Sequence, residues 1–151
     1  MAKEKDANKK KKAKAVHQAG KRKTALARTT ILEGSGVVRI NSKLLSQSND
    51  SLIKLRIEEP LMLAKGIIDP DKVDVKINVS GGGISGQADA IRTSIARALV
   101  EFAPSNKRDE LKELFIKYDR TLIAGDSRRT EPHKPCGSTK GPRARRQKSY
   151  R

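Results

Sequence analysis

A chain of 151 residues with 34 Lys or Arg, 17 Asp or Glu and a formal net charge of +17 is one domain's worth of sequence whose expected partners are polyanions. No apolar run reaches the length that spans a bilayer, and residues 1–12 lack the apolar stretch of a signal peptide. The single cysteine, Cys136, has no partner for an internal disulfide, so the reading is a cytosolic protein without disulfide staples.

The excess charge is concentrated at the two ends. Residues 1–23 carry ten Lys or Arg against two carboxylates and residues 127–151 carry nine against one, whereas residues 24–126 carry fifteen against fourteen. Arms of that charge density repel themselves and bury too little apolar surface to offset the entropy of ordering. The expected organisation is a basic, disordered N-terminal arm over 1–19, a globular domain over 20–126 and an extended basic tail over 127–151. Neither arm has the apolar face that lays a helix on a membrane. Nucleic acid is therefore the expected partner, and no membrane.

In chain order, Thr24, Leu26, Arg28, Thr30 and Leu32 alternate with Ala25, Ala27, Thr29 and Ile31, which predicts a strand over about 23–32. Gly34-Ser35-Gly36 supplies a turn and residues 37–40 a second strand, so the two read as a hairpin. Residues 51–65 are mostly helix formers with Asp50 or Ser51 as a cap, and Pro60 is expected to divide them into two short helices, with Gly66 ending the second. Asp69-Pro70-Asp71 is turn chemistry. Val73, Val75, Ile77 and Val79 then alternate with Asp74, Lys76 and Asn78 as a half-buried strand. Ala88, Ile91, Ile95, Leu99 and Phe102 follow at helical spacing, and Leu111, Leu114, Phe115 and Tyr118 mark another helix within 106–118. Residues 121–124 are expected to form a short last strand. The pattern predicts an α+β fold, a two-layer sandwich of one mixed sheet with helices on one face.

Between the strand at Val73 and the helix lie Gly81, Gly83 and Gly86, which spell G-x-G-x-x-G. A dinucleotide site needs a second parallel strand ending in an acidic residue about twenty positions on, and the residue there is Glu101, at the end of a helix. Gly86 is not followed by Lys-Ser or Lys-Thr, so the loop is not a P-loop. Two readings stay open: a structural turn, or backbone donors that face RNA phosphate. Both histidines, His17 and His133, fall in the arms, and no catalytic constellation or closed metal site is present in the sequence; His133 and Cys136 are two possible ligands where a structural metal needs about four. The expectation is no enzyme, no cofactor and no small-molecule substrate. Phe102, Phe115 and Tyr118 belong to the core pattern and leave Tyr150 as the aromatic residue of the arms, so recognition is expected to run through phosphates rather than stacked bases.

Gly81-Gly82-Gly83-Ile84-Ser85-Gly86-Gln87-Ala88-Asp89-Ala90-Ile91-Arg92, with Ile95-Ala96-Arg97-Ala98-Leu99 after it, resembles the signature of the small-subunit ribosomal protein S-nine family. Gly20-Lys21-Arg22-Lys23-Thr24-Ala25, Asp119-Arg120-Thr121-Leu122 and the ending Gln147-Lys148-Ser149-Tyr150-Arg151 resemble it too, the ending in the manner of the archaeal and eukaryotic branch. The resemblance implies a fold similar to the second domain of ribosomal protein S-five. It also implies binding to small-subunit ribosomal RNA in the head, beside neighbouring small-subunit proteins, and a tail that contacts peptidyl-site tRNA. Carried over by motif, the tRNA contact falls on Arg151, with Tyr150 and Lys148 beside it. The ribosomal RNA contacts expected are Lys21, Arg22, Lys23, Gly82, Gly83, Gln87, Arg92, Arg128, Arg129, Lys134, Lys140, Arg143, Arg145 and Arg146. The alternative reading is a free-standing RNA-binding protein or RNA chaperone that uses the same arms.

Overall fold

The computed structural model describes residues 15–47 and 51–129. Within them a five-stranded sheet carries helices on one face. Its strands are β1 (Val16–Arg22), β2 (Ala25–Glu33), β3 (Val38–Ile40), β4 (Lys43–Leu44) and β5 (Val73–Ser80). Their spatial order is β1-β2-β5-β3-β4. All neighbours are antiparallel except β3 and β5, which run parallel, so the sheet is mixed.

The helices are α1 (Ser51–Ala64), α2 (Ile84–Phe102), α3 (Arg108–Tyr118) and the single turn α4 (Thr121–Ala124). α2 is the hub. It buries Ala88, Ala90, Ile91, Ser94, Ile95, Ala98 and Leu99 against the sheet and the other helices. The facing strand residues are Ala25, Ala27, Thr29 and Ile31 on β2 and Val73, Val75, Ile77 and Val79 on β5, all buried by the period-2 alternation that the sequence shows.

Small residues set how closely the two layers approach. A Cβ on Gly20 of β1 would lie 2.1 Å from the Ala90 carbonyl oxygen and 2.7 Å from the Ser94 amide nitrogen, so the α2 backbone rests directly on β1. Ser94 donates to the Ile91 carbonyl at 2.8 Å, and the buried Thr29 hydroxyl lies 2.6 Å from the Ser94 hydroxyl. Because the Ser94 proton is already committed, Thr29 is the donor of that pair, and both buried hydroxyls are satisfied.

Four expectations are corrected. The hairpin is not made by β2 and the strand at 37–40: β5 lies between them, and the true hairpin is β1 with β2, closed by the two-residue turn Lys23-Thr24 with Lys23 at φ +54°. The turn at 34–36 instead docks onto β5, where Gly34 N–H donates to the Lys72 carbonyl and Asp74 accepts from the N–H groups of Ser35 and Val37 at 2.8 and 3.0 Å. Those two bonds hold the Asp74 carboxyl below its ordinary value. Secondly, β1 begins at Val16, ahead of the boundary drawn at Gly20; it reads as polar because its inward positions are Val16, Gln18, Gly20 and Arg22.

Thirdly, Pro60 sits inside one continuous helix, α1. A proline within a helix costs about 3 kcal/mol. Here its ring is fully buried with Ile57 and Ala64, and that packing offsets the lost hydrogen bond. Lastly, residues 121–124 form a helical turn rather than a strand: Asp119 Oδ1 accepts the Thr121 N–H at 2.8 Å, Leu122 is buried, and Gly125 at φ +73° ends the turn. A four-residue apolar run has no period that separates the two structures. The Asp50 cap lies outside the described residues.

Candidate nucleic-acid interface

Three segments far apart in sequence meet at one edge of the fold: the β1–β2 turn, the glycine loop at 81–83 and the stretch 125–128 that leaves α4. The glycine loop is pressed against the turn. Gly81 and Gly82 have φ values of +74° and +70°. A Cβ on Gly81 would lie 2.7 Å from the Thr24 carbonyl oxygen, and one on Gly82 would lie 2.9 Å from the Ala25 Cβ. Positive φ and close packing therefore account for glycine at both positions. Gly83 differs: it is extended at φ −102° and has nothing within 4 Å of a Cβ.

Gly83 is also the N-cap of α2 and supplies no side-chain cap. The first N–H groups of a helix have no partner within it, and they form the positive end of its dipole. No acidic residue occupies the first turn of α2. The end opens on a cavity of about 330 Å³ lined by Arg22, Lys23, Thr24, Gly82, Gly83, Ser85 and Asp89, the Asp89 carboxylate being 3.5 Å from Arg22 Nε. Backbone donors and cations converge there on a space that suits an anionic oxygen.

Beside this cavity a chain of ion pairs fixes the root of the C-terminal segment. Arg22 Nη1 lies 2.8 Å from Asp126 Oδ2, and Arg22 Nε lies 3.5 Å from Asp89. Asp126 also pairs with Arg128 at 3.0 Å. The Arg128 N–H, donating at 2.7 Å, is the main reason that the Asp126 carboxyl is held below its ordinary value. Arg97 adds a second tie, donating to the Ile123 carbonyl at 2.8 Å and to the Ala19 carbonyl of β1 at 3.0 Å. The exit point of the chain is thus stapled to β1 and to α2.

A deeper cluster centres on Arg92. Its guanidinium reaches Glu59 at 2.6 and 2.8 Å and Asp119 at 2.7 Å, with the Thr121 hydroxyl at 3.4 Å. Burial opposes the charge on Arg92, but hydrogen bonds with Glu59 and Asp119 outweigh it and hold the proton more firmly. Asp119 answers in kind: burial works against its charge, and the Thr121 N–H with Arg92 overcomes this and lowers its pKa.

Of the expected contact residues, the structure brings Lys21, Lys23, Gly82, Gly83 and Arg128 to this edge, and Lys21, Lys23, Arg128 and Arg129 are exposed. It places three others differently. Arg92 is buried and bound on both sides by carboxylates, so it fastens α2 to α1 and α3 instead of facing solvent. The Gln87 amide donates to the Gly81 carbonyl at 3.2 Å and closes the glycine loop. Arg22 is largely covered and engaged by Asp89 and Asp126. Lys134, Lys140, Arg143, Arg145, Arg146, Lys148, Tyr150 and Arg151 lie outside the described residues.

Sequence reasoning passed over Glu59, Arg97, Asp119 and Asp126, whose roles depend on partners far away in the chain. It also passed over Arg28, Arg39 and Lys76, which share the uncovered face of the sheet. Their period-2 alternation with apolar residues was the available signal. Among the described residues no cluster of His, Cys, Asp and Glu could hold a metal ion, and no helix is long and apolar enough to cross a membrane.

Comparison with known proteins gives a consistent answer. The family model described as ribosomal protein S9/S16 matches residues 20–151. The chain is similar to a protein named small ribosomal subunit protein uS9 from Methanococcus vannielii, with 53% identity over 138 residues, covering 91% of this chain and 99% of the relative. Proteins of the same name from two strains of Methanococcus maripaludis are 54% identical over 138 residues, with the same coverage.

Proposed function

The chain belongs to the ribosomal protein S9/S16 family, and from that premise we propose that it is a constituent of the small ribosomal subunit that grips ribosomal RNA in the head and sends its C-terminal tail to peptidyl-site tRNA. Its role as a ribosomal protein is structural, not enzymatic, and is exercised in the cytoplasm where ribosomes work. The observation that carries the finer reading is the staple at Asp126. A tail reaches a distant target reproducibly only if its root is fixed, and Arg22 of β1 and Arg97 of α2 fix this one beside the cationic edge of the domain.

In this reading Lys21, Lys23, Gly83, Arg128 and Arg129 take phosphates at the edge, and Lys134, Lys140, Arg143, Arg145 and Arg146 continue the path along ribosomal RNA. Arginine suits that path because its planar fork grips phosphate with two hydrogen bonds. Arg92, Gln87 and Arg22 act one step back, by holding the edge in shape. Lys148, Tyr150 and Arg151 are the tRNA contacts, as the family resemblance implies.

Truncation after Gln147 tests the tail. Subunits that contain the shortened chain should assemble nearly as wild type and bind peptidyl-site tRNA more weakly in a filter-binding assay. Unchanged tRNA affinity would overturn the tail's role. Density-gradient sedimentation from extract tests the rest: the protein should travel with the small subunit and leave it after RNase treatment. A protein that stays at the top of both gradients would be the free RNA binder instead.

A further inference from the structure

The sheet has a second surface that the arms do not explain. Helices cover one face, and on the other the outward positions of the strands form rows across the sheet. One row runs from His17 on β1 to Thr30 on β2, Lys76 on β5 and Arg39 on β3. Arg28 and Asn78 are partners in the next row. Arg28, Arg39, Lys76 and Asn78 are exposed.

Arg39 and Lys76 are direct cross-strand partners in the parallel pair, and like charges set opposite each other in a sheet are unfavourable. Neither the Arg28 nor the Arg39 side chain makes a hydrogen bond or ion pair among the described residues. Asp74 also stands on this face: its carboxylate accepts from the N–H groups of Val37 and Ser35, keeps its charge and attracts Lys76, which leaves Arg28 and Arg39 as the cations whose side chains have no partner among the described residues. A groove of about 630 Å³ runs over this face, lined by Thr30, Arg39, Ser42, Asp74, Lys76 and Asn78 among others. Three cations against one carboxylate are thus interleaved with short hydroxyl and amide side chains, and the face carries an excess of positive charge.

We propose that this open face is a second RNA-binding surface and that its ligand is the backbone of an RNA duplex. The proposal rests on the ribosomal reading above and adds to it a site away from the arms and the α2 edge. Duplex RNA is recognised by phosphates and 2′-hydroxyls and needs no base stacking, whereas single strands are usually held on aromatic side chains. No Phe, Tyr or Trp stands among the outward residues of these strands, and the one outward imidazole, His17, is engaged by the Thr30 hydroxyl at 2.9 Å. Arg28, Arg39 and Lys76 supply the phosphate contacts, and Thr30, Ser42 and Asn78 are the hydroxyl and amide groups for the ribose edge.

The test uses the full chain with Arg28→Gln, Arg39→Gln and Lys76→Gln combined. A control chain carries Lys107→Gln, Lys112→Gln and Lys117→Gln, which removes the same charge from exposed positions on and just before α3. Binding is measured against salt for a mixed-sequence RNA duplex of about 16 base pairs and a single strand of equal length. The sheet variant should lose about two to three units of the duplex salt slope, roughly one per phosphate contact, while the control and the single-strand slopes change less. It should also be stripped from small subunits at lower salt than the control.

A sheet variant that matches the control in both measurements overturns the proposal. So does a loss confined to the single strand. A variant that leaves the subunit early yet keeps its duplex slope overturns it as well, and assigns the face to an acidic protein neighbour. Wild-type protein that never enters the small-subunit peak would instead overturn the ribosomal reading, and is seen in the same gradient.

Discussion

Asp126 Oδ2 lies 2.8 Å from Arg22 Nη1, an ion pair that joins the end of the globular fold to its first strand across most of the chain. Asp126→Asn weakens that joint and leaves Arg22 with Asp89. The expected result is a lower urea midpoint with an unchanged m-value, and a variant that still folds. Since Arg97 still holds residue 123, the loss should be smaller than for Arg92.

Arg92→Met removes the shared partner of Glu59 and Asp119 from a buried position. Breaking a fully enclosed pair on one side costs about 3–5 kcal/mol, and here the two carboxylates keep some access to water, so about 2 kcal/mol is expected. RNA affinity measured below the melting transition should stay near wild type. A large loss of affinity in the folded variant would return Arg92 to the list of RNA contacts.

Acid should unfold the protein through identifiable groups. Asp74, Asp119 and Asp126 are each held below their ordinary pKa, so each contributes stability that is fully present above the unfolded-state value of about 3.9 and is lost as pH falls through the folded-state value. Urea midpoints should be flat from pH 7 to about pH 5 and fall steeply below pH 4. Asp74→Asn should start lower and show a shallower acid limb.

The glycine loop offers a paired test. Gly82→Ala places a side chain at φ +70° against Ala25 and should destabilise by about 1–3 kcal/mol. Gly83→Ala meets nothing within 4 Å at φ −102° and should cost about 0.5–1 kcal/mol, the preference of an N-cap for glycine over alanine. A drop in RNA affinity for folded Gly83→Ala, measured well below its melting transition, would mark the α2 N-terminus as a phosphate contact; no drop would leave the loop a structural turn.

Arg39→Gln should raise the stability of the free protein, because it removes a like-charge cross-strand pair with Lys76. The gain expected is about 0.2–1 kcal/mol, visible as a higher melting temperature that fades with added salt. A melting temperature that falls would show that Arg39 is held by contacts stronger than its repulsion.

The fold was legible where burial imposes a period. Val73, Val75, Ile77 and Val79, and the run from Ala88 to Phe102, declare a strand and a helix because each presents one apolar face to one core. Legibility failed where a remote partner replaces local pattern. β1 hides because its key inward residue is Gly20, whose meaning is the α2 backbone above it. The hairpin was misassigned because β5, some forty residues later in the chain, enters between β2 and β3. At the site, Lys21, Lys23 and Arg128 could be read from charge, but charge alone does not separate them from Arg92. Only the positions of Glu59 and Asp119 show that this arginine is already neutralised.

The placement of β5 also orders events in time. It is the central strand, paired with β2 on one side and β3 on the other, yet it is made from residues 73–80. During synthesis the β1–β2 hairpin can form early from local contacts, but the sheet cannot close until β5 has emerged, and its face stays uncovered until α2 follows. The segment at 125–128, which Asp126 ties to Arg22, follows every one of these strands and helices in the chain, so the domain it leaves can already be folded when that segment emerges.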